Sequence, residues 1–194
     1  MVERFPDVSA IGLAVAGFLD SDRQTVRFAP HLPWRDANVV KRLSLLLPCP
    51  LQLEHDANSA AWGEYRFGAA RGADNWVLFA LGTGIGGAMM QGGEIYRGAY
   101  GTAPEFGHLT VVPDGRPCSC GKRGCLERYC SGTALVTTAQ ELSESGRYFS
   151  RLTDGLVAGS ATGTDVVSAA RQGDELALAA IDDFATWLGR GLSM

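Results

Sequence analysis

The sequence predicts an α/β fold, in which buried strands alternate along the chain with amphipathic helices. Apolar runs at 9–16 and 76–81 are typical of strands buried within a sheet. Apolar residues recur at helical spacing in 38–47 and again through 175–192. Because both periodicities occur, the chain is neither an all-helical bundle nor an all-strand sandwich.

The remaining elements follow in order between these segments. A short strand is predicted at 25–28, and the helix at 38–47 must end before Pro48, whose ring prevents a further helical turn. Thr83 and Gly84 occupy the turn of a predicted hairpin. The other predicted segments are strands at 51–54 and 86–90 and helices at 57–67, 134–143 and 165–172.

The composition is that of a globular protein and gives no sign of a nucleic-acid or membrane partner. Hydrophobic residues make up 46% and charged residues 20%, and the net charge of −4 comes with no basic stripe. No apolar run reaches the roughly 18 residues that a membrane-spanning helix needs. The sequence shows no export signal, so we expect the cysteines to be reduced and the chain to be cytoplasmic.

Residues 108–125 combine the side chains that bind zinc. One imidazole and three thiols form the ligand set of a closed structural zinc site, from His108, Cys118, Cys120 and Cys125. The alternatives are disulfides or free core thiols, but the five cysteines are odd in number and Cys-x-Cys is a poor spacing for a bridge. We therefore predict zinc here and interpret Cys49 and Cys130 as core thiols.

Asp56 lies where the predicted strand at 51–54 runs into the helix at 57–67, directly after His55. Folds of the α/β class place ligands at the carboxyl ends of strands, and a carboxylate there can act as a general base toward a hydroxyl. The alternative is that Asp56 only caps the helix, as Asp often does. The residues alone leave both roles open.

Two further groups of residues favour a polar ligand. The glycine-rich stretch 81–88 follows a strand, and its backbone N–H groups could cradle phosphate oxygens beside the Thr83 hydroxyl. It matches neither the Walker A motif nor the dinucleotide fingerprint, and a tight hairpin without a ligand is the alternative. Hydrogen bonds to a polyhydroxylated molecule could be made by Glu105, His108 and Glu127. The alternative is that these residues only support the metal site.

Together these segments resemble the ROK family of sugar kinases and sugar-responsive repressors, most closely its bacterial glucokinase branch. The resemblance extends over nearly the whole chain. It is carried by Ala-Gly-Phe-Leu-Asp at 16–20, Glu-His-Asp-Ala-Asn-Ser-Ala-Ala-Trp-Gly-Glu at 54–64, Leu-Gly-Thr-Gly-Ile-Gly-Gly at 81–87, Glu-Phe-Gly-His at 105–108, and the cysteine pattern that ends in Cys-x-Glu at 125–127.

The resemblance implies an actin-like, ribonuclease-H-like fold of two lobes, with 1–54 in the N-terminal lobe and 55–194 in a larger lobe. It implies phosphorylation of glucose to glucose 6-phosphate by ATP with Mg²⁺, with sugar in the cleft and Asp56 as the base. Family members are commonly dimeric or tetrameric, which implies a homo-oligomer. By the same resemblance the sugar is held by His55, Glu105, His108 and Glu127. The ATP phosphates are bound by Thr83 and Gly84. Zinc is bound by His108, Cys118, Cys120 and Cys125.

Two departures from the family pattern modify these expectations. The family usually has Asn directly before the catalytic Asp, and His55 stands there in this sequence, which changes the donors and acceptors offered to the sugar. The family's N-terminal Asp-x-Gly-Gly-Thr motif and its C-terminal glycine motif near the adenosine are absent. The chain thus resembles the central portion of a longer kinase, and we expect its own turnover to be impaired, because phosphoryl transfer depends on positioning.

Three other functions compete with a glucokinase. A sugar-sensing repressor of the same family would carry a DNA-binding helix-turn-helix segment, which this sequence does not contain. A kinase for another hexose, such as N-acetylmannosamine, would use the same motifs. The retention of Asp56 favours a kinase over the repressor. A zinc-stabilised binding module would have no catalysis, and Asp56→Asn would leave its function untouched.

Overall fold

Two units make up this protein, whose computed structural model describes residues 7–29 and 32–194. Unit 1 comprises Met1–Phe79 and Gly86–Glu105, and unit 2 comprises Ala80–Ile85 and Phe106–Met194. The chain therefore passes from one unit to the other three times. Two of these passages lie within the hairpin that turns at Thr83 and Gly84.

The first half of unit 1 contains a parallel strand pair and an antiparallel sheet. Its elements in chain order are β1 (Ile11–Val15), β2 (Phe18–Leu19), β3 (Thr25–Phe28), β4 (Arg35–Asn38), α1 (Val39–Ser44), β5 (Leu51–His55) and α2 (Asp56–Phe67). β1 pairs in parallel with β5, and Val15 lies opposite His55, so both strands end at the same edge. β2, β3 and β4 form the antiparallel sheet. Val15, Val26 and Leu53 belong to one buried cluster that joins the two sheets.

A further sheet packs against α2. Its strands are β6 (Trp76–Leu81), β7 (Ile85–Gln91) and β8 (Glu94–Ile95), in that spatial order. Ala57 and Ala61 lie one turn apart on α2 and share a buried cluster with Ala88 and Met90 of β7. The small alanine side chains let the helix lie close to the sheet, and this packing fixes the start of α2.

Unit 2 is mainly helical. It contains α3 (Gly132–Glu144), α4 (Thr153–Val157), α5 (Gly163–Arg171) and α6 (Glu175–Leu192). Each of the long helices begins at a polar residue whose side chain accepts a backbone N–H, namely Ser131, Thr162 and Asp174. Their apolar faces meet in a core that includes Leu135, Val166 and Leu176. Across 7–29 and 32–194, no helix combines the length and the apolar character that a membrane span requires.

The main strands and helices predicted from the sequence are confirmed, as is the short strand β3, whereas several other short elements were missed. β2, β4, β8 and α4 have two to five residues each and too few apolar positions to show a period. β4 contains Asp36 at φ 46°, a conformation that is unusual in a strand. The lobe boundary predicted between residues 54 and 55 stays a prediction, and it falls inside β5.

Replacing Leu53 by Ala should lower the free energy of unfolding by about 2–5 kcal/mol, because the side chain is fully buried and the cavity cannot collapse completely. Leu45→Ala is the matched control in the same unit, since Leu45 is 83% exposed. We expect a change below about 0.5 kcal/mol for the control. Urea denaturation followed by tryptophan fluorescence measures both, and equal effects would contradict the assignment of Leu53 to the core.

Candidate functional site

The carboxyl end of the parallel pair presents His55 and Asp56. β5 ends at His55, which is the N-cap residue of α2 but whose side chain makes no capping hydrogen bond. The Oδ1 atom of Asp56 accepts the Ala57 N–H at 2.8 Å and lies 3.2 Å from Nε2 of His55. The Asp56 side chain is 53% exposed. Asp56 therefore lies inside the first turn of the helix, with its carboxylate accessible to a ligand.

His55 and Glu105 line the same narrow crevice in unit 1. Its walls also include Asn58 and the segments 17–19 and 101–104. Gly101, with φ of +81°, lies against the backbone of Asp20, so a side chain at this position would be strained. The structure thus brings together two of the residues predicted to bind a hydroxylated molecule, with Asp56 next in sequence to one of them.

Glu54 is a functional candidate that the sequence pattern did not indicate. Its Oε2 atom accepts from Arg23 at 3.1 Å and from Arg97 at 2.5 Å. Its Oε1 atom accepts from Asn58 at 3.1 Å and from the His55 N–H at 3.0 Å. One carboxylate therefore joins three separate parts of unit 1 immediately before His55 and Asp56.

The ionised form of Glu54 is favoured by this environment. Burial raises the pKa of Glu54, but hydrogen bonds from Arg97, Asn58 and the His55 amide outweigh the burial and hold that pKa below its usual range. Arg23 and Arg97 are 31 and 43 residues away along the chain, so no local motif shows the cluster. The only available signal was an acidic residue at the end of an apolar strand.

The predicted metal ligands form a compact group in unit 2. The ligand atoms of His108, Cys118, Cys120 and Cys125 all lie within 4.8 Å of one another. The His108 Nδ1 atom is 3.6 Å from Cys118 Sγ, and Cys120 Sγ is 3.6 Å from Cys125 Sγ. Sulfur atoms on a tetrahedral zinc, with bonds of about 2.3 Å, are separated by about 3.8 Å. The donor set and its spacing therefore fit a tetrahedral metal ion.

The chemistry of the thiols supports the same interpretation. Burial, together with the neighbouring Cys118 and Cys120 thiols, raises the pKa of Cys125 to about 12. A dication would offset this penalty, because metal ligands bind as thiolates. Cys49 and Cys130 lie outside the group, and the Cys130 thiol instead faces the Leu126 carbonyl oxygen.

Arg116 ties the cysteine loop, residues 108–127, to α3. Its guanidinium donates to the Arg128 carbonyl oxygen at 2.7 Å and to the Thr138 hydroxyl at 3.2 Å, and forms an ion pair with Glu141. Its backbone N–H donates to the Tyr129 hydroxyl at 2.7 Å, and its side chain lies over the Tyr129 ring. The loop is thus held at its base by an arginine and does not depend on an apolar core alone.

The glycine turn of the hairpin is held at both ends. The Gly132 N–H donates to the Gly82 carbonyl oxygen at 2.8 Å, and the Thr133 hydroxyl donates to the Thr83 carbonyl oxygen at 2.9 Å. At the far end, Glu127 Oε2 accepts the Ile85 N–H at 2.9 Å. A cavity of about 780 Å³ lies beside the turn in unit 2, and its lining includes threonine side chains and Arg171.

The predicted site residues therefore fall into two sets. Unit 1 contains His55, Asp56 and Glu105, whereas unit 2 contains Thr83, Gly84, Glu127 and the four metal ligands. Within unit 2, the structure brings Glu127 next to the glycine turn, a contact that the sequence did not indicate.

Comparison with known proteins identifies relatives of two kinds. The sequence profile described as the ROK family matches residues 1–194. A glucokinase of Streptomyces coelicolor is 40% identical over 96% of this chain. The xylose repressor of Bacillus subtilis is 34% identical over 94% of this chain. The chain spans 60% of the length of that glucokinase and 44% of the length of that repressor.

A solved structure has the same fold. The crystal structure of a ROK family glucokinase from Streptomyces griseus, in complex with glucose and AMPPNP, superimposes with a TM-score of 0.83 and 42% sequence identity. The match covers 96% of this chain and 61% of that one. The predicted α/β fold of the actin-like ATPase type is thereby confirmed.

Replacing Glu54 by Gln should lower the free energy of unfolding at pH 7 by about 1–3 kcal/mol, because charged hydrogen bonds to Arg23 and Arg97 are lost. The pKa of Glu54 is lowered in the folded state, so its stabilisation is present above the unfolded pKa and is lost as the pH falls through the folded value. The difference between wild type and variant should therefore shrink below about pH 4.

Urea denaturation at a series of pH values measures this difference. Glu94→Gln, at an exposed position of the same unit, is the matched control and should show no such dependence. A difference for Glu54→Gln that stayed constant into the acid range would contradict the ionic role of Glu54.

Proposed function

The chain belongs to the ROK family, and on that premise we propose that it carries the site of an ATP-dependent hexose kinase, with glucose as the substrate and glucose 6-phosphate as the product. The observation that carries the proposal is Asp56, whose half-exposed carboxylate stands at the carboxyl end of a parallel strand pair beside His55. The similarity to two glucokinases supports it.

Asp56 acts as the general base. Its carboxylate takes the proton of the sugar 6-hydroxyl as that oxygen attacks the γ-phosphorus of ATP. The bond from the γ-phosphorus to the bridging oxygen breaks, and ADP leaves with the electron pair. The Oδ1 atom is engaged by the Ala57 N–H and His55, which fixes the carboxylate in one orientation.

Other hydroxyls of the sugar are held by His55, Glu105, His108 and Glu127. Charged carboxylates accept strong hydrogen bonds from hydroxyl groups, which favours a polyhydroxylated substrate. In His108 the Nδ1 atom faces Cys118, so the second ring nitrogen remains for a hydroxyl of the sugar. His55 stands where the family usually has Asn, and an imidazole also donates and accepts.

The phosphates of ATP bind at the glycine turn through Thr83 and Gly84. In the chain as far as the structure describes it, neither of these two backbone N–H groups donates to another protein atom. Adjacent N–H groups of this kind form a concave anion site. The cavity beside the turn has a volume within the usual range of small-molecule sites, roughly 300–1,000 Å³, and suits the nucleoside. Mg²⁺ would supply positive charge to the phosphate oxygens.

The metal in the Cys3His group is zinc with a structural role. A closed set of four protein ligands leaves no position for a substrate, which distinguishes it from a catalytic zinc site. Thiolate ligands require reduced cysteines, which favours the cytoplasm as the location. A homo-oligomeric assembly is part of the same proposal, and light scattering after size exclusion measures it.

A sugar-sensing regulator is the second candidate function, because a xylose repressor is among the relatives. Such a protein would bind a sugar without transferring phosphate. A kinase for another hexose, such as N-acetylmannosamine, is a variant of the first candidate, and His55 is the residue to test for it.

Replacing Asp56 by Asn should reduce ATP-dependent glucose phosphorylation by about 10²- to 10⁴-fold, because the amide cannot take the proton. Glucose affinity should change little, since the amide retains an oxygen in the same place. A coupled assay of glucose 6-phosphate measures the rate, and calorimetry measures the affinity. Asp22→Asn, at an exposed position of unit 1, is the matched control.

The two measurements separate the candidates. The chain alone is expected to turn over poorly, so the decisive sample is the protein at the full length of its glucokinase relatives. Glucose binding without phosphorylation in that sample would favour the regulator and overturn the kinase. Phosphorylation that persisted in Asp56→Asn would overturn the role of Asp56.

The purified chain should contain one zinc ion, and its removal should unfold the cysteine loop, since metal binding supplies roughly 10 kcal/mol to such a site. Cys125→Ser should lose the zinc and melt at a lower temperature. Cys49→Ser, outside the cluster, should retain both. Elemental analysis and thermal melting with and without a chelator measure these effects, and a zinc content that Cys125→Ser left unchanged would contradict the ligand set.

A further inference from the structure

Glu127 makes a contact that binding of a sugar hydroxyl does not require. Its Oε2 atom accepts the Ile85 N–H at 2.9 Å, across 42 residues of sequence. Ile85 is the first residue of β7 and is 5% exposed, so this N–H lies where the glycine turn meets the strand. A buried amide without an acceptor is costly, so the carboxylate stabilises the end of the turn.

The same carboxylate occupies the space in which a side chain at Gly84 would lie. A Cβ atom added at Gly84 would overlap the Glu127 carboxylate. Gly84 has no positive φ, so the obstacle to a side chain at this position is the Glu127 carboxylate, which would have to move away. By contrast, a Cβ at the neighbouring Gly82 would meet nothing within 4 Å. The glycine of the turn and the glutamate of the cysteine loop thus form one fitted pair.

Glu127 is itself held firmly. The preceding residue, Leu126, is fully buried, and its N–H donates to the Leu109 carbonyl oxygen at 2.8 Å. The side chain of Leu126 packs against Gly191 of α6, where a Cβ would overlap it. The glutamate therefore projects from an anchored segment and can restrain the turn.

From this geometry we propose that Glu127 is a positioning residue for phosphate binding. One oxygen, Oε2, holds the Ile85 N–H and fixes the turn so that the Thr83 and Gly84 N–H groups converge on a phosphate oxygen. The other oxygen, Oε1, remains for a sugar hydroxyl. The inference rests on the proposed function, in that the turn binds the phosphates of a nucleotide, and it adds a link from the cysteine loop to that binding.

The direct test is the exchange rate of the Ile85 amide, measured by hydrogen exchange with NMR detection. In Glu127→Ala the amide should exchange about tenfold faster than in wild type, because its acceptor is gone. Glu127→Gln retains an oxygen acceptor and should restore slow exchange. An Ile85 amide that exchanged equally fast in wild type and Glu127→Ala would overturn the inference, whether or not nucleotide binds.

The second measurement is the affinity for AMPPNP with Mg²⁺, by calorimetry. We expect Glu127→Ala and Gly84→Ala each to bind about five- to tenfold more weakly than wild type, as for the loss of one hydrogen bond. Because both changes break the same pair, the double variant should bind no more weakly than either single one. Gly189→Ala, at an exposed site on α6 with open space around it, is the matched control and should bind as wild type does.

The outcomes distinguish the inference from the function on which it rests. Losses that simply added in the double variant would overturn the fitted pair. A structural role alone would lower the melting temperature of Glu127→Ala and leave the AMPPNP affinity unchanged, which would also overturn the positioning role. A wild-type chain that did not bind AMPPNP would overturn the nucleotide part of the proposed function, while the Ile85 exchange rates would still report on the contact itself.

Discussion

Unit 2 depends on the burial of a two-residue segment, Cys125 and Leu126. Both side chains are fully buried, and Leu126 meets the backbone of α6 at Gly191, where only glycine leaves room. Three functional groups lie on or beside this segment. The Cys125 thiol belongs to the metal cluster, and the Glu127 carboxylate contacts the glycine turn. The Tyr129 ring contacts Arg116 and Trp187. Burial of one leucine thus sets the positions of groups with quite different chemistry.

Charged hydrogen bonds hold the candidate site of unit 1 in place. Glu54 occupies the centre of a network in which two arginines, an amide side chain and a backbone N–H share one carboxylate. Such a network is costly to desolvate and holds one geometry only when every partner is present. The burial of Leu126 does not depend on pH, whereas the network of unit 1 weakens in acid.

The sequence predicted what depends on local spacing and missed what depends on topology. The Cys3His group could be predicted because all its ligands lie within residues 108–125, and α2 because its alanines recur at helical spacing. The contacts of Glu54 with Arg97 and of Glu127 with Ile85 join residues more than forty positions apart, and nothing local indicates them. The role of Asp56 was left open between base and cap. The structure shows His55 at the N-cap position, a distinction of one residue that sequence patterns do not resolve.

The three passages of the chain from one unit to the other have a consequence for synthesis on the ribosome. Unit 1 is discontinuous in sequence, so it cannot be completed until Glu105 has emerged. The segment Ala80–Ile85 emerges early, yet its hydrogen-bond partners Glu127, Gly132 and Thr133 follow about forty to fifty residues later, two to ten seconds at usual elongation rates. During that interval the nascent glycine turn lacks these three native partners and keeps only its internal hydrogen bond from the Gly82 N–H to the Gly84 carbonyl oxygen, so its native conformation is completed late.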